Sequence, residues 1–171
     1  RLYILMPNLS TKYEDRRESY DLIASTISNA VNAKRGNYLA FFPSFAYLKA
    51  VQTEIETLPL SVKLIVQERK MSEAKRRNYL KKLRSSNEKH LLLAVHGGIF
   101  SEGVDFTGDM AIGAFIIGPG LPAYSKEQEL MREYYNFKWK KQINNTFQNN
   151  YVIILLHFFK VKYYLRLLNS S

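Results

Sequence analysis

The chain has 171 residues, of which 46% are hydrophobic and none is cysteine. That is room for one ordinary domain with a core, and it excludes disulfides, thiolate metal sites and a cysteine nucleophile. The formal net charge of +10 is concentrated in two blocks: nine Lys/Arg against three acids from Gln67 to His90, and six against none from Phe137 to Ser171, leaving −2 elsewhere. A basic total of this kind is an argument about two segments and not about the whole surface.

The chain opens on Arg1 and the strand-like "RLYIL", as expected of a sequence that starts inside a longer protein. No basic flank followed by an apolar core precedes it, so no secretory signal is read and a cytoplasmic location is the expectation. Tyr20, Ile23, Ile27 and Val31 then recur at helical spacing, and Thr11 with Glu14 forms an S/T-x-x-E capping pair ahead of them. This predicts a helix over 12–34. "YLAFF" is a short apolar run ended by Pro43, as in a buried strand. Leu48, Val51, Ile55 and Leu58 follow on one helical face, with Ser44 placed to cap it.

The unit repeats. "VKLIV" reads as a strand, Ser72 caps the helix "EAKRRNYLKKLRSS", and "LLLAV" is the next strand. After the stretch "GGIFSEGVDFTGD" come a strand "AIGAFIIG", a turn at "PGLPAYS" and a helix from Ser125, its cap reinforced by Gln128. Short strands alternating with helices predict an α/β fold, with a mostly parallel sheet flanked by helices. Ligands of such sheets bind beyond the carboxyl ends of the strands, and "FFPS" and "GGIFSEGVDF" both lie at that edge.

From about residue 137 the composition changes: the tail contains no Gly, Pro, Ala, Asp or Glu and is dominated by Asn, Lys, Ile, Leu, Phe and Tyr. Its apolar run from Tyr151 to Phe159 is interrupted by His157 and stopped by Lys160, far short of the roughly 20 residues of a membrane span. A basic amphipathic membrane helix and an ordinary strand plus helix are two readings. The third, favoured by composition, is an A/T-rich gene read out of frame, which divides the chain into a domain over 1–136 and a divergent, non-native tail over 137–171.

Gly98 and Gly103 have the glycine spacing of a P-loop, but Val104 and Asp105 stand where that motif needs Lys and Ser/Thr. A carboxylate there repels phosphates, so the loop is not a triphosphate cradle. Asp105 suits ribose hydroxyls or the orientation of a basic group. The plainer reading, equally open on residue chemistry, is a glycine turn with Ser101 and Asp105 capping backbone amides. Ser44 is likewise either a helix cap alone or a cap that also meets a phosphate. Phe45 and Tyr47 are either core or base-stacking residues, and the basic helix over 73–84 is either a solvated face or a nucleic-acid surface. His90, His96 and His157 lack ligand spacing, so no metal site is expected, and no Ser/His/Asp arrangement is present.

"GNYLAFFPSFAYLKAV", "LIVQERKMSEAKR" and "AVHGGIFSEGVDFTGDMAIGAFIIGPGLP" together resemble motifs IV through V of the second motor domain of the DinG/XPD (Rad3-like) superfamily 2 helicases, with the bacterial DinG-like branch closest. The resemblance covers about residues 3 to 136. It implies a RecA-like three-layer fold that forms one wall of an ATP cleft and half of a single-stranded DNA track. It places Gly103 and Asp105 toward the nucleotide, with Glu102 supporting the loop, and assigns DNA phosphate contacts to Ser44 and Ser101, next to which Phe45 is the base-stacking candidate from residue chemistry. In the family, ATP with Mg is bound mainly by the first RecA-like helicase domain, the implied partner alongside single-stranded DNA. Hydrolysis also needs a Q-x-x-G-R-x-x-R motif after motif V.

No catalytic set is complete in this sequence, so the chain by itself is expected to be inactive in ATP hydrolysis, as no groups here stabilise the transition-state charge. The competing reading from the residues is a non-catalytic nucleic-acid-binding module. A third is a structural remnant that binds nothing. If the tail is out of frame, the nucleotide sequence downstream of codon 137 encodes Q-x-x-G-R-x-x-R in another frame. Inspection of that sequence checks this, and its absence from all frames overturns the out-of-frame reading.

Overall fold

The computed structural model describes residues 2–6, 9, 15–85, 87–118 and 152–156. In chain order the elements are β1 (Leu2–Met6), a 3-10 turn (Arg16–Ser19), α1 (Tyr20–Ala33), β2 (Tyr38–Phe42), α2 (Phe45–Glu56), β3 (Lys63–Val66), α3 (Glu73–Arg84), β4 (His90–Val95), a 3-10 turn (Gly108–Met110), β5 (Gly113–Ile117) and β6 (Val152–Leu156). The helix expected over 12–34 thus has a tight first turn before its α-helical part. The Thr11/Glu14 capping pair, the turn at 119–125 and the helix from Ser125 lie outside the described residues.

The described strands form one sheet in the order β1-β6-β5-β2-β4-β3. β2 pairs in parallel with β4 on one side and β5 on the other, and β3 adds in parallel to β4. β6 runs antiparallel to both β5 and β1, so it alone opposes the common direction. The sheet is therefore mostly parallel, and the α/β layout expected from the strand-helix alternation is present. Of the apolar run at 151–159, the described part is this strand.

Strands β2, β4 and β5 are buried along their whole length, as parallel strands covered on both faces must be. Their alternating side chains divide the core in two. Tyr38, Ala40, Phe42, Leu91, Leu93, Val95, Phe115 and Ile117 meet Ile23, Ile27 and Val31 of α1 and Tyr47, Leu48, Val51 and Ile55 of α2. Leu39, Phe41, Leu92, Ala94, Ala114 and Ile116 point the other way, toward Leu83 of α3, Phe100, Phe106 and Met110. Helices on both faces of one sheet give the three layers.

Parallel strands end with backbone groups that need partners, and buried polar side chains supply them. At the amino-terminal edge, Asn37 is 1% exposed. Its Oδ1 accepts from the His90 backbone N–H at 2.8 Å, and its Nδ2 donates to the Leu83 carbonyl at 2.8 Å and the Asp109 carbonyl at 3.3 Å. One side chain thus joins the start of β4, the end of α3 and the second 3-10 turn. At the opposite edge, the His96 backbone N–H donates to the Phe42 carbonyl at 3.0 Å. The His96 ring lies 6.1 Å from that of Phe41, and its Nε2 is 3.3 Å from the Ile117 carbonyl. Burial lowers the pKa of His96 below the ordinary imidazole value, the Ile117 and Gly118 carbonyls opposing the shift, so the neutral ring with Nε2–H donating is the form that fits.

Two consequences are measurable. Asn37→Ala strands the His90 N–H and the Leu83 carbonyl in the interior, costing about 2–4 kcal/mol and lowering the urea midpoint; an unchanged midpoint refutes the bridging role. Because folded His96 binds its proton less readily than the unfolded chain does, its contribution is complete above the unfolded imidazole value of about 6.5 and is lost as pH falls below it. The urea midpoint should drop between about pH 7 and pH 5, and His96→Gln, which keeps a donor for Ile117, should flatten that drop.

Candidate nucleotide and nucleic-acid edge

β2 leaves the sheet into α2 on one face, while its neighbour β4 leaves into a loop packed on the other. Adjacent strands whose continuations part to opposite faces open a crevice at their carboxyl ends, the place where α/β sheets bind ligands. The first wall of this crevice is "FFPS". Pro43 ends β2, and Ser44 is extended at φ −160° and ψ 161°. Its Oγ accepts from the Tyr47 backbone N–H at 3.2 Å, capping α2. The lone cap bond uses Ser44 as an acceptor, which leaves its O–H able to donate. Phe45 is half-buried, and the Arg69 guanidinium sits 5.2 Å from its ring centroid. Tyr47 is core.

The second wall is the loop after β4, whose path is set by the end of β3. The Gln67 backbone N–H donates to the Leu93 carbonyl at 2.8 Å, and its Oε1 accepts from the Val95 N–H at 3.1 Å. The same amide lies where a Cβ on Gly98 would fall, 2.7 Å from Nε2 and 3.0 Å from Oε1. A side chain at 98 would therefore have to displace the Gln67 amide. The loop then turns on itself: the Gly98 carbonyl accepts from the Ser101 N–H at 2.9 Å, the Glu102 N–H at 3.2 Å and the Ser101 hydroxyl at 2.9 Å. Ser101 is thus a buried turn clamp whose hydroxyl donates to a carbonyl, which differs from the amide-capping role read from the sequence.

Phe100 and Phe106 hold the two ends of the exposed part. Phe100 is fully buried, with its ring centroid 6.3 Å from Tyr79 of α3 at an interplanar angle of 17°. Arg76 of α3 adds an Nε–H bond to the Ile99 carbonyl at 3.0 Å while its Nη1 pairs with Glu73. Between the anchors, Glu102, Gly103 and Asp105 are exposed, with Val104 half-buried. Gly103 has φ +67°, left-handed backbone that a side chain would strain. The loop thus offers two carboxylates and a glycine on a rigid base.

That donor set has no cation with which to hold a triphosphate, in line with the departure from the P-loop pattern. Among the described residues no group of three or more His, Cys, Asp or Glu could hold a metal ion. The loop's chemistry fits hydroxyl or basic groups. Gln67, Arg76, Tyr79, Phe100, Phe106 and His96 escaped the sequence reading of the site. The two phenylalanines were visible as the apolar residues within a glycine-rich stretch, but Gln67, Tyr79 and Arg76 carry no local signal of their contacts with β4 and its loop, which lie 20 or more residues away.

Comparison with known proteins places the chain. A family model described as the helicase C-terminal domain matches residues 27–156. "ATP-dependent DNA helicase CHL1" of Debaryomyces hansenii is 35% identical over 120 residues, covering 63% of this chain and 14% of that protein. "ATP-dependent DNA helicase DDX11" of Mus musculus is 29% identical over 124 residues, again 63% of this chain and 14% of the relative. The chain thus spans about a seventh of the length of these curated relatives. Among solved structures, an XPD helicase superposes with a TM-score of 0.57 at 18% identity, covering 81% of this chain and 24% of that one. S. tokodaii Xpd4 gives 0.52 at 16%, covering 79% and 25%. At such identities these structures show the fold, which is the RecA-like one expected. The relatives do not specify the bacterial DinG-like branch, and the match favours the motor-domain reading over a free-standing nucleic-acid-binding module. The chain belongs to the helicase C-terminal domain family, as the second-motor-domain part of the Rad3-like superfamily 2 DNA helicases.

Proposed function

We propose that the loop at 97–106 is the nucleotide-facing hinge of a two-domain, ATP-dependent DNA motor, and that this chain supplies its second motor domain. The observation that carries the reading is the loop's construction: exposed Glu102, Gly103 and Asp105 stand on a base fixed by Gln67, Phe100 and Phe106, at the crevice between β2 and β4. Asp105 and Gly103 would face the ribose side of ATP, with Glu102 beside them, while Mg and the triphosphate would be held mainly by the first RecA-like domain. The absence of a cation in the loop supports that division of labour.

Single-stranded DNA would lie along the other wall. Ser44 would offer its hydroxyl and the amide end of α2 to a phosphate and Phe45 a ring face, while Ser101, buried in the facing loop, would act by holding the turn on the other side of the crevice. Closing of the two domains on ATP would then tighten both sites together, because α2 and the loop leave neighbouring strands. No helix among the described residues is long and apolar enough to cross a membrane. A cytoplasmic protein, a DNA-repair role and a place in the DinG-like branch complete the proposal. The chain alone, lacking the first domain's groups, would not turn over ATP.

Asp105→Ala in the full-length parent tests the hinge. DNA-stimulated ATP turnover should fall roughly 10- to 100-fold, as for a misplaced catalytic set, with the circular dichroism spectrum and melting temperature unchanged. Wild-type turnover in that variant would overturn the assignment.

A further inference from the structure

The positive charge of the described domain is gathered on one helix. α3 has six cations, Lys75, Arg76, Arg77, Lys81, Lys82 and Arg84, and one acid, Glu73. The inner face of α3 is spoken for: Leu83 is buried, Tyr79 stacks on Phe100, and Arg76 binds Glu73 and the Ile99 carbonyl. Lys75 pairs with Glu68, and Lys82 lies over the ring of Tyr79.

Arg77, Lys81 and Arg84 are different. They follow at i, i+4 and i+7, so they form one stripe about 10.5 Å long. All three are exposed, and among the described residues none has an ion pair or a hydrogen bond through its side chain. Like charges at these spacings weaken a helix, and a solvated helix face ordinarily mixes both signs. The helix dipole favours the cations of the last turn but not Arg77 at mid-helix.

We propose that this stripe is a docking surface for the phosphate backbone of duplex DNA, separate from the strand-end crevice. Two of its three cations are arginines, whose planar fork binds phosphate oxygens in pairs. A duplex carries a charge for about every 1.7 Å of axis, so a stripe of this length faces about six phosphate charges. The neighbouring exposed positions, Ala74, Asn78, Lys82 and Ser85, offer none of the aromatic anchors on which protein partners bind. The opposite face of the same helix holds Ile99 and Phe100, so a duplex seated on α3 rests on the element that supports the loop. The proposal does not depend on the roles given to Asp105 or Ser44.

The test is fluorescence anisotropy of the full 171-residue chain with a labelled duplex. The triple variant Arg77→Glu, Lys81→Glu, Arg84→Glu should bind a duplex of about 20 base pairs at least tenfold more weakly at about 0.1 M salt, with the log–log salt slope reduced by about 2 to 3. The milder Arg77→Gln, Lys81→Gln, Arg84→Gln set should show a smaller loss in the same direction, with an unaltered circular dichroism spectrum. A second triple, Arg17→Glu, Arg35→Glu, Lys49→Glu, changes net charge equally and should bind within about threefold of the parent. Equal losses for the two glutamate triples, an unchanged salt slope for the α3 variants, or binding of polyglutamate as tight as that of the duplex would each overturn the proposal.

Discussion

The candidate site hangs on how β4 is held where its ladder runs out. A parallel strand in the middle of a sheet must hand its last backbone groups to something other than the next residue of a neighbouring strand, or leave them unpaired in the interior. Here Gln67 accepts from Val95, and Phe42 accepts from His96. Both bonds come from the carboxyl ends of the flanking strands, Phe42 closing β2 and Gln67 following β3. The loop that follows therefore leaves from a fixed point, and its turn around the Gly98 carbonyl, its two buried phenylalanines and the exposed carboxylates all take their position from it. A larger residue at Gly98 would push the Gln67 amide off its bond with Val95, so the glycine leaves that anchor undisturbed.

The same economy governs the other edge, where Asn37 joins α3, β4 and the second 3-10 turn through three hydrogen bonds. The two edges are tied to each other by α3, whose carboxyl end meets Asn37 through Leu83 and whose middle holds the loop through Arg76 and Tyr79. A motor domain has to transmit a change at its nucleotide edge to the surfaces that grip DNA. A rigid helix fixed at one end to a buried polar hub and along its length to the loop after β4 is a physical route for such transmission, and it carries Arg77, Lys81 and Arg84 on its outside.

How much of this could be read beforehand differs from element to element. The strands "YLAFF" and "LLLAV" and the caps at Ser44 and Ser72 were legible because they rest on local rules: apolar runs of strand length, and hydroxyls one residue before a helical face. The glycine-rich stretch was legible as a turn at the ligand edge, and its departure from the P-loop pattern was visible at Val104 and Asp105. The beginning of the first helix was not well placed, since a capping pair at 11 and 14 gives no sign of the 3-10 turn at 16–19. Of His96 the sequence said only that it has no ligand spacing. Its partners, Phe41 and the Ile117 carbonyl, come from two other strands.

By itself the sequence determined the alternation of strands and helices, the sharp turns, the segregation of charge into the 67–90 block and the motif set that marks the helicase resemblance. These follow from spacing, propensity and composition, which are properties of neighbours along the chain. The tertiary structure decided the strand order, and with it that β2 lies between β4 and β5, that β6 lies between β5 and β1, and that "FFPS" and "GGIFSEGVDF" flank one crevice. It also decided that Ser101 faces inward as a clamp while Glu102, Gly103 and Asp105 face out, and that Arg77, Lys81 and Arg84 have no side-chain ion pair or hydrogen bond among the described residues. Those outcomes depend on which distant backbone and side-chain groups satisfy one another when both faces of the sheet are covered, and no local pattern encodes them.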